Sequence, residues 1–118
     1  MKREHRLRSP ADFARVREAS ARVWTHPLVV LYVAPNDLAR TRVGITVSGH
    51  VGKAVVRNKV KRRLREALRL RFASLTAGQD LVVIARPRSA TAAWVELDAA
   101  LQTVLSRAGA IAAPVAGV

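Results

Sequence analysis

The chain has 118 residues, half of them hydrophobic, and carries 21 Lys or Arg against 8 Asp or Glu, a formal charge of +13. That length holds a single domain with a real core, and so large a positive excess repels itself unless an anionic partner, nucleic acid first among the candidates, offsets it. Cysteine is absent, which excludes disulfides, thiolate catalysis and Cys-ligated zinc and is compatible with a reducing cytoplasm, the expected location.

Residues 1–8 carry five basic side chains, His5 included, and show no periodicity, so they are expected to form a mobile basic arm. The charged start leads into no apolar h-region, and the longest strongly apolar run, residues 28–34, is far below the roughly 20 residues a bilayer span needs. Neither a signal peptide nor a membrane span is expected. Ser9-Pro10-Ala11-Asp12 supplies an N-cap, a Pro at the first helical position and an acid at the third, which predicts a first helix over about 9–19.

The pattern then turns to β. Arg22-Val23-Trp24-Thr25, residues 28–33 and residues 42–47 are separated by His26-Pro27 and Pro35-Asn36-Asp37, and three antiparallel strands are the natural assignment. Gly49 and Gly52 break the sheet. Residues 53 to about 74 read as a long helix with Val56, Val60, Leu64, Ala67, Leu68, Phe72 and Leu75 on one side. A turn at 77–80 leads into Leu81-Val82-Val83-Ile84-Ala85, a continuous apolar run suited to a strand buried on both faces. A last helix is predicted over about 91–107, with Trp94, Leu97, Leu101, Val104 and Leu105 inward and a stop at Gly109. Residues 110–118 read as a disordered tail. The order αβββαβα, without internal repeats, indicates one α+β domain over 9–109.

The long helix carries most of the charge. Nine of its residues between 53 and 71 are basic and only Glu66 is acidic, a net +8. Lys53, Arg57, Lys61, Arg65 and Arg69 recur every four residues, where like charges repel by roughly 0.2–0.5 kcal/mol per pair in an isolated helix. At 100° per residue Lys61, Arg62, Arg65 and Arg69 lie away from the apolar arc, Arg57 lies at its margin, and Arg71 falls within it, where a snorkelling stem is expected. A face of one sign at this density points to a polyanion, with binding that weakens steeply in salt. The excess of Arg, 17 against 4 Lys, suits bidentate phosphate contacts and stacking on bases.

No hydrolytic centre is visible. Glu4, Asp12, Glu18, Asp37, Asp80, Glu96 and Asp98 are scattered, and His5, His26 and His50 have no ligand spacing, so neither catalytic nor metal-ligating residues are assigned. Ser48-Gly49-His50-Val51-Gly52-Lys53 lacks the full G-x-x-x-x-G-K-S/T spacing of a nucleotide-binding loop. Its amides could still meet an RNA phosphate at the helix start.

Arg42-Val43-Gly44-Ile45-Thr46-Val47-Ser48, followed by Val51-Gly52-Lys53-Ala54-Val55-Val56-Arg57-Asn58-Lys59-Val60-Lys61-Arg62-Arg63-Leu64-Arg65-Glu66-Ala67, resembles the signature region of the bacterial ribonuclease P protein family. The likeness extends to His5-Arg6-Leu7 with Asp12-Phe13, and to Leu81-Val82-Val83-Ile84-Ala85-Arg86, so that it spans about residues 5–107. It implies a central four-stranded mixed sheet packed by helices, with a left-handed βαβ crossover. It also implies a subunit of an endoribonuclease that frees the mature 5′ end of tRNA, one protein per catalytic RNA subunit. In that family the RNA subunit performs the hydrolysis, with Mg2+ held mainly by the RNA subunit and the substrate.

By this resemblance Lys53, Arg57, Asn58, Lys59, Lys61, Arg62 and Arg65 face the catalytic RNA subunit, and Phe13, Arg17 and Tyr32 line a cleft for the single-stranded 5′ leader of precursor tRNA. The chain departs from the family pattern in having Lys59 where Arg is commonest, Gly49-His50 where two Lys are common, and Arg17 in place of a second aromatic. The closest rival is a ribosomal or general RNA-binding protein with no role in cleavage. A duplex-DNA binder is a second, although Asn58 is the only base-edge reader on the basic face.

Overall fold

The computed structural model describes residues 3–20 and 22–111. Three helices, α1 (Pro10–Ala19), α2 (Ala54–Arg71) and α3 (Trp94–Arg107), surround four strands, β1 (Val23–Thr25), β2 (Val29–Pro35), β3 (Arg42–Thr46) and β4 (Gln79–Ala85). The domain is α+β, with the chain order the sequence predicts. Ser9 caps α1 as expected, its Oγ accepting from the Asp12 N–H at 3.1 Å. Helix α3 begins later than its pattern suggests, because Pro87–Thr91 form a 3-10 turn. Its first turn is fixed by the Glu96 carboxylate, which accepts from the Ala93 N–H at 2.9 Å. Gly109, at φ +70°, ends it in the left-handed conformation that glycine adopts without strain.

The sheet order is β1-β2-β4-β3, with β1–β2 and β2–β4 antiparallel and β3–β4 parallel. This corrects the expectation of three consecutive antiparallel strands: β3 does not pair with β2, because β4 lies between them. The physical reason is burial. Strand β4 is apolar on both faces from Leu81 to Ala85 and gains most from a central place, whereas β3 presents Arg42, Gly44 and Thr46 on alternate positions and tolerates an edge.

Alternation along the strands divides the apolar residues between two cores. Val29, Leu31, Leu81 and Val83 point to the face covered by α2 and α3, where Val60, Leu64, Leu68, Leu97, Leu101 and Leu105 complete the main core. Each of these fully buried side chains contributes about 1.5–3 kcal/mol relative to exposure. The opposite face carries a smaller core of Leu7, Val16, Ala34 and Val82, with Phe13, Tyr32 and Ile84 half-buried against it. Helix α1 lies on this side.

The described residues near both ends of the chain differ from expectation. Residues 3–8 are not a free arm within the described part: Arg3–His5 form a 3-10 turn, the Leu7 N–H donates to the Val43 carbonyl at 2.8 Å, and Leu7 is 5% exposed. Leu7 docks the segment together with Arg40, whose Nε donates to the Glu4 carbonyl at 3.0 Å, and the contact pairs one position, Val43, on the outer edge of β3. His5 adds an edge contact to Phe72, ring centroids 4.6 Å apart, and its Nδ1 lies 3.1 Å from the Thr41 carbonyl. At the other end Ala110 and Ile111 belong to the main core, and the Thr76 N–H donates to the Ala110 carbonyl at 2.7 Å. The rest of the expected tail, 112–118, and the first two residues of the expected arm lie outside the described residues.

Candidate nucleic-acid interface

The cations of α2 fall into two groups. Arg63 donates to the Ala92 carbonyl at 3.0 Å. Arg69 pairs with Glu66 at 2.6 Å. Arg71 lies half-buried, paired with Asp98 at 2.5 Å and bonded to Gln102 at 2.7 Å, as its position within the apolar arc predicts. Arg63 and Arg71 thus tie α2 to other elements, and Arg69 is matched within the helix itself. The hydrogen bond from Arg69 also draws the Glu66 carboxyl below its usual range, so the single acid of the helix is already matched.

Lys53, Lys59, Lys61 and Arg62 are exposed, and Arg57 and Arg65 are half-buried. Among the described residues none of these six makes a side-chain hydrogen bond or ion pair. Asn58 is exposed between them. The unmatched charge of the helix is thus carried by the residues that the resemblance turns toward RNA, and cations of one sign held on a helix attract a polyanion over a Debye length of about 8–10 Å. The start of the helix is different. The Val51 and Gly52 amides donate to the Ser48 and Gly49 carbonyls, so the loop before α2 uses for its own turn two of the donors that a phosphate would need.

A cleft of about 390 Å³ opens along the β3 edge, lined by Leu7, Phe13, Gly44 and Ile45 with Arg6, Arg8, Lys61 and Arg65 among its walls. Its geometry depends on a missing side chain. A Cβ at Gly44 would stand 2.5 Å from Phe13 Cε1, so the Phe13 ring rests on the strand only because Gly44 leaves room. Across the sheet Gly44 and Tyr32 both register with Val82, which puts the two predicted aromatics at the ends of one three-strand row. Arg17 is exposed on α1, one turn beyond Phe13.

Lys61 and Arg65, expected on a separate surface, therefore reach the same cleft as Phe13. Arg6 and Arg8 also line it, and sequence reasoning assigned them to a mobile arm. The signal that could have placed them is Leu7, an apolar residue between two arginines. Replacing Gly44 by Ala is expected to push the Phe13 ring out of the cleft while leaving α2 unchanged; loss of Phe13 aromatic contacts to Val43–Ile45 in NMR spectra, with α2 shifts retained, checks this.

In register with Arg42 on the neighbouring strand lies Asp80, 0% exposed. Arg42 donates to its carboxylate from Nε at 2.9 Å and Nη2 at 2.7 Å, Asn36 Nδ2 donates at 2.8 Å, and Arg15 reaches it from α1. Burial by itself pushes the carboxyl up, but the hydrogen bonds from Arg42, Asn36 and Arg15 outweigh it and hold the group below the usual carboxylate range. Asp80 is thus enclosed by arginines, Asp98 and Glu66 are each paired with one, and among the described residues no three His, Asp or Glu side chains are grouped as metal ligands. No helix among the described residues is long and apolar enough to cross a membrane.

Residues 1–109 match the family model described as Ribonuclease P. The ribonuclease P protein component of Herpetosiphon aurantiacus is 47% identical over 108 residues, covering 92% of this chain and 87% of that protein; that of Roseiflexus castenholzii is 43% identical, covering 94% and 91%. Among solved structures, the Staphylococcus aureus RNase P protein superposes with a TM-score of 0.84 at 30% identity, covering 91% of this chain and 97% of that one. The Thermotoga maritima RNase P protein gives 0.78 at 29% identity, covering 86% and 96%.

Proposed function

Because the chain belongs to the ribonuclease P protein family, a component of an endoribonuclease that processes the 5′ end of tRNA, we propose a specific division of labour for its surfaces. Helix α2 binds the catalytic RNA subunit through Lys53, Arg57, Asn58, Lys59, Lys61, Arg62 and Arg65. The cleft and the adjoining sheet face take the single-stranded 5′ leader of precursor tRNA, with Phe13 and Tyr32 offering rings to its bases and Arg17 a guanidinium plane. Stacking is worth about 1–3 kcal/mol per base and accepts any base, which suits a component that must serve many different leaders.

The observation that carries this reading is the cleft itself, where an aromatic ring and unmatched cations of α2 meet within one enclosure. A stacked base and its phosphate need those two elements side by side. Since Lys61 and Arg65 stand at its wall, the leader and the RNA subunit approach each other there, and cations between them relieve the repulsion of two phosphate chains. Hydrolysis is the work of the RNA subunit in this reading, with magnesium held by RNA and substrate. Three of the chain's eight carboxylates, Asp80, Glu66 and Asp98, are taken up by Arg15, Arg42, Arg69 and Arg71, and among the described residues no three acids or histidines gather as metal ligands. By neutralising phosphates the protein lowers the magnesium concentration that cleavage requires.

The test is cleavage of a 5′-extended precursor tRNA by the cognate RNA subunit at near-physiological magnesium, with and without one equivalent of protein. Strong stimulation that grows with leader length is the expected result, saturating at one protein per RNA subunit. Equal binding to unrelated RNAs without stimulation would instead mark a general RNA-binding protein, and cleavage by the protein alone would place the active site in this chain.

A further inference from the structure

Helix α1 is anchored along one narrow line, and at its end the C-cap Ser20 Oγ accepts from the Val33 N–H at 3.2 Å. It has ten residues, of which only Val16 is fully buried. At 100° per residue Phe13 lies about 60° to one side of Val16 and Arg15 about 100° to the other. Val16 is therefore a pivot with a contact on each flank. On one flank the Phe13 ring rests on Gly44; on the other Arg15 reaches Asp80. Asp80 does not yield, since Arg42 of β3 and Asn36 of the β2–β3 connection hold the same carboxylate.

We propose that the Arg15–Asp80 pair is a positioning device for the leader cleft, setting the roll of α1 on the sheet and with it the places of Phe13 and Arg17. The inference rests on the role proposed above for that cleft. Without the tether α1 can roll about Val16, and a ring that must meet a base face to face loses its alignment before the helix loses its fold. Arg15 is suited to be tested alone. Its side chain is 42% exposed, and its loss leaves Asp80 bonded to Arg42 and Asn36, so the core of the domain survives its removal.

The experiment compares kcat/KM of the holoenzyme on precursor tRNA with a long leader and with a single-nucleotide leader, for the native protein, Arg15→Gln, Arg15→Lys and Phe13→Ala. Arg15→Gln should reduce the advantage of the long leader about fivefold to tenfold, the worth of roughly one stacked base. It should leave short-leader cleavage and affinity for the RNA subunit unchanged, and Arg15→Lys, which can still reach Asp80, should restore much of the loss. If Phe13→Ala removes the advantage and Arg15→Gln retains it, the tether is refuted and the leader cleft stands. If both variants retain it, the cleft assignment falls and the tether with it. A loss by Arg15→Gln that is equal on both substrates, or that appears in affinity for the RNA subunit, would show a general weakening of the fold and overturn the positioning role.

Discussion

Replacing Asp80 by Ala is expected to destabilise the domain by about 3 kcal/mol, the low end of the range for removing one partner of a buried ion pair, because Arg15 and Arg42 keep some access to water. Against a total of about 5–15 kcal/mol for a domain of this kind the loss is severe. Urea unfolding should show a lowered midpoint at an unchanged slope. The carboxyl also makes stability depend on acid. Its value in the folded state lies below the ordinary one, so its contribution is complete above about pH 4 and is lost as pH falls through the folded value. Asp80→Asn should accordingly flatten the loss of stability below pH 4, and an unchanged acid profile in that variant would show that other carboxyls control acid unfolding.

The second large effect concerns the outer face of α2. Lys61→Ala, Arg62→Ala and Arg65→Ala combined remove three cations that have no internal partner among the described residues. If each meets a phosphate, the slope of log K against log salt for the RNA subunit should shrink by about 2–3, at roughly 0.7–0.9 per contact. Extrapolated from 1 M to 0.1 M salt, the same slopes correspond to a loss of about two to three decades in affinity. Asn58→Ala removes no charge and should weaken binding without altering the slope. Titrations at four or five salt concentrations separate the two behaviours, and a slope that the triple variant leaves unchanged would move the RNA-binding face elsewhere.

Much of the candidate interface was legible because it is local. The four-residue recurrence of cations on α2 needs only helical geometry to become a surface, and the same geometry marked Arg71 as inward, where it meets Asp98. Gathering Phe13 and Tyr32 on one sheet face was also expected, although by resemblance to a family and not from periodicity. The cleft that joins Phe13 to Lys61 and Arg65 was not legible. It exists because residues 6–8 dock on β3 and because Gly44 has no side chain, and both are relations between segments far apart in the chain.

By itself the sequence determined the three helices, the four strands and the amphipathic basic face, since periodicities of 3.6 and 2 and short-range caps act over a few residues. Tertiary structure decided the order of the strands, the docking of residues 3–8 and 110–111, and the role of Asp80. These depend on which strand gains most from the centre of the sheet and on partners 38 and 65 residues away from a single carboxylate. Such choices are made by competition for burial and by the high cost of an unpaired buried charge, and neither quantity exists until the chain has folded.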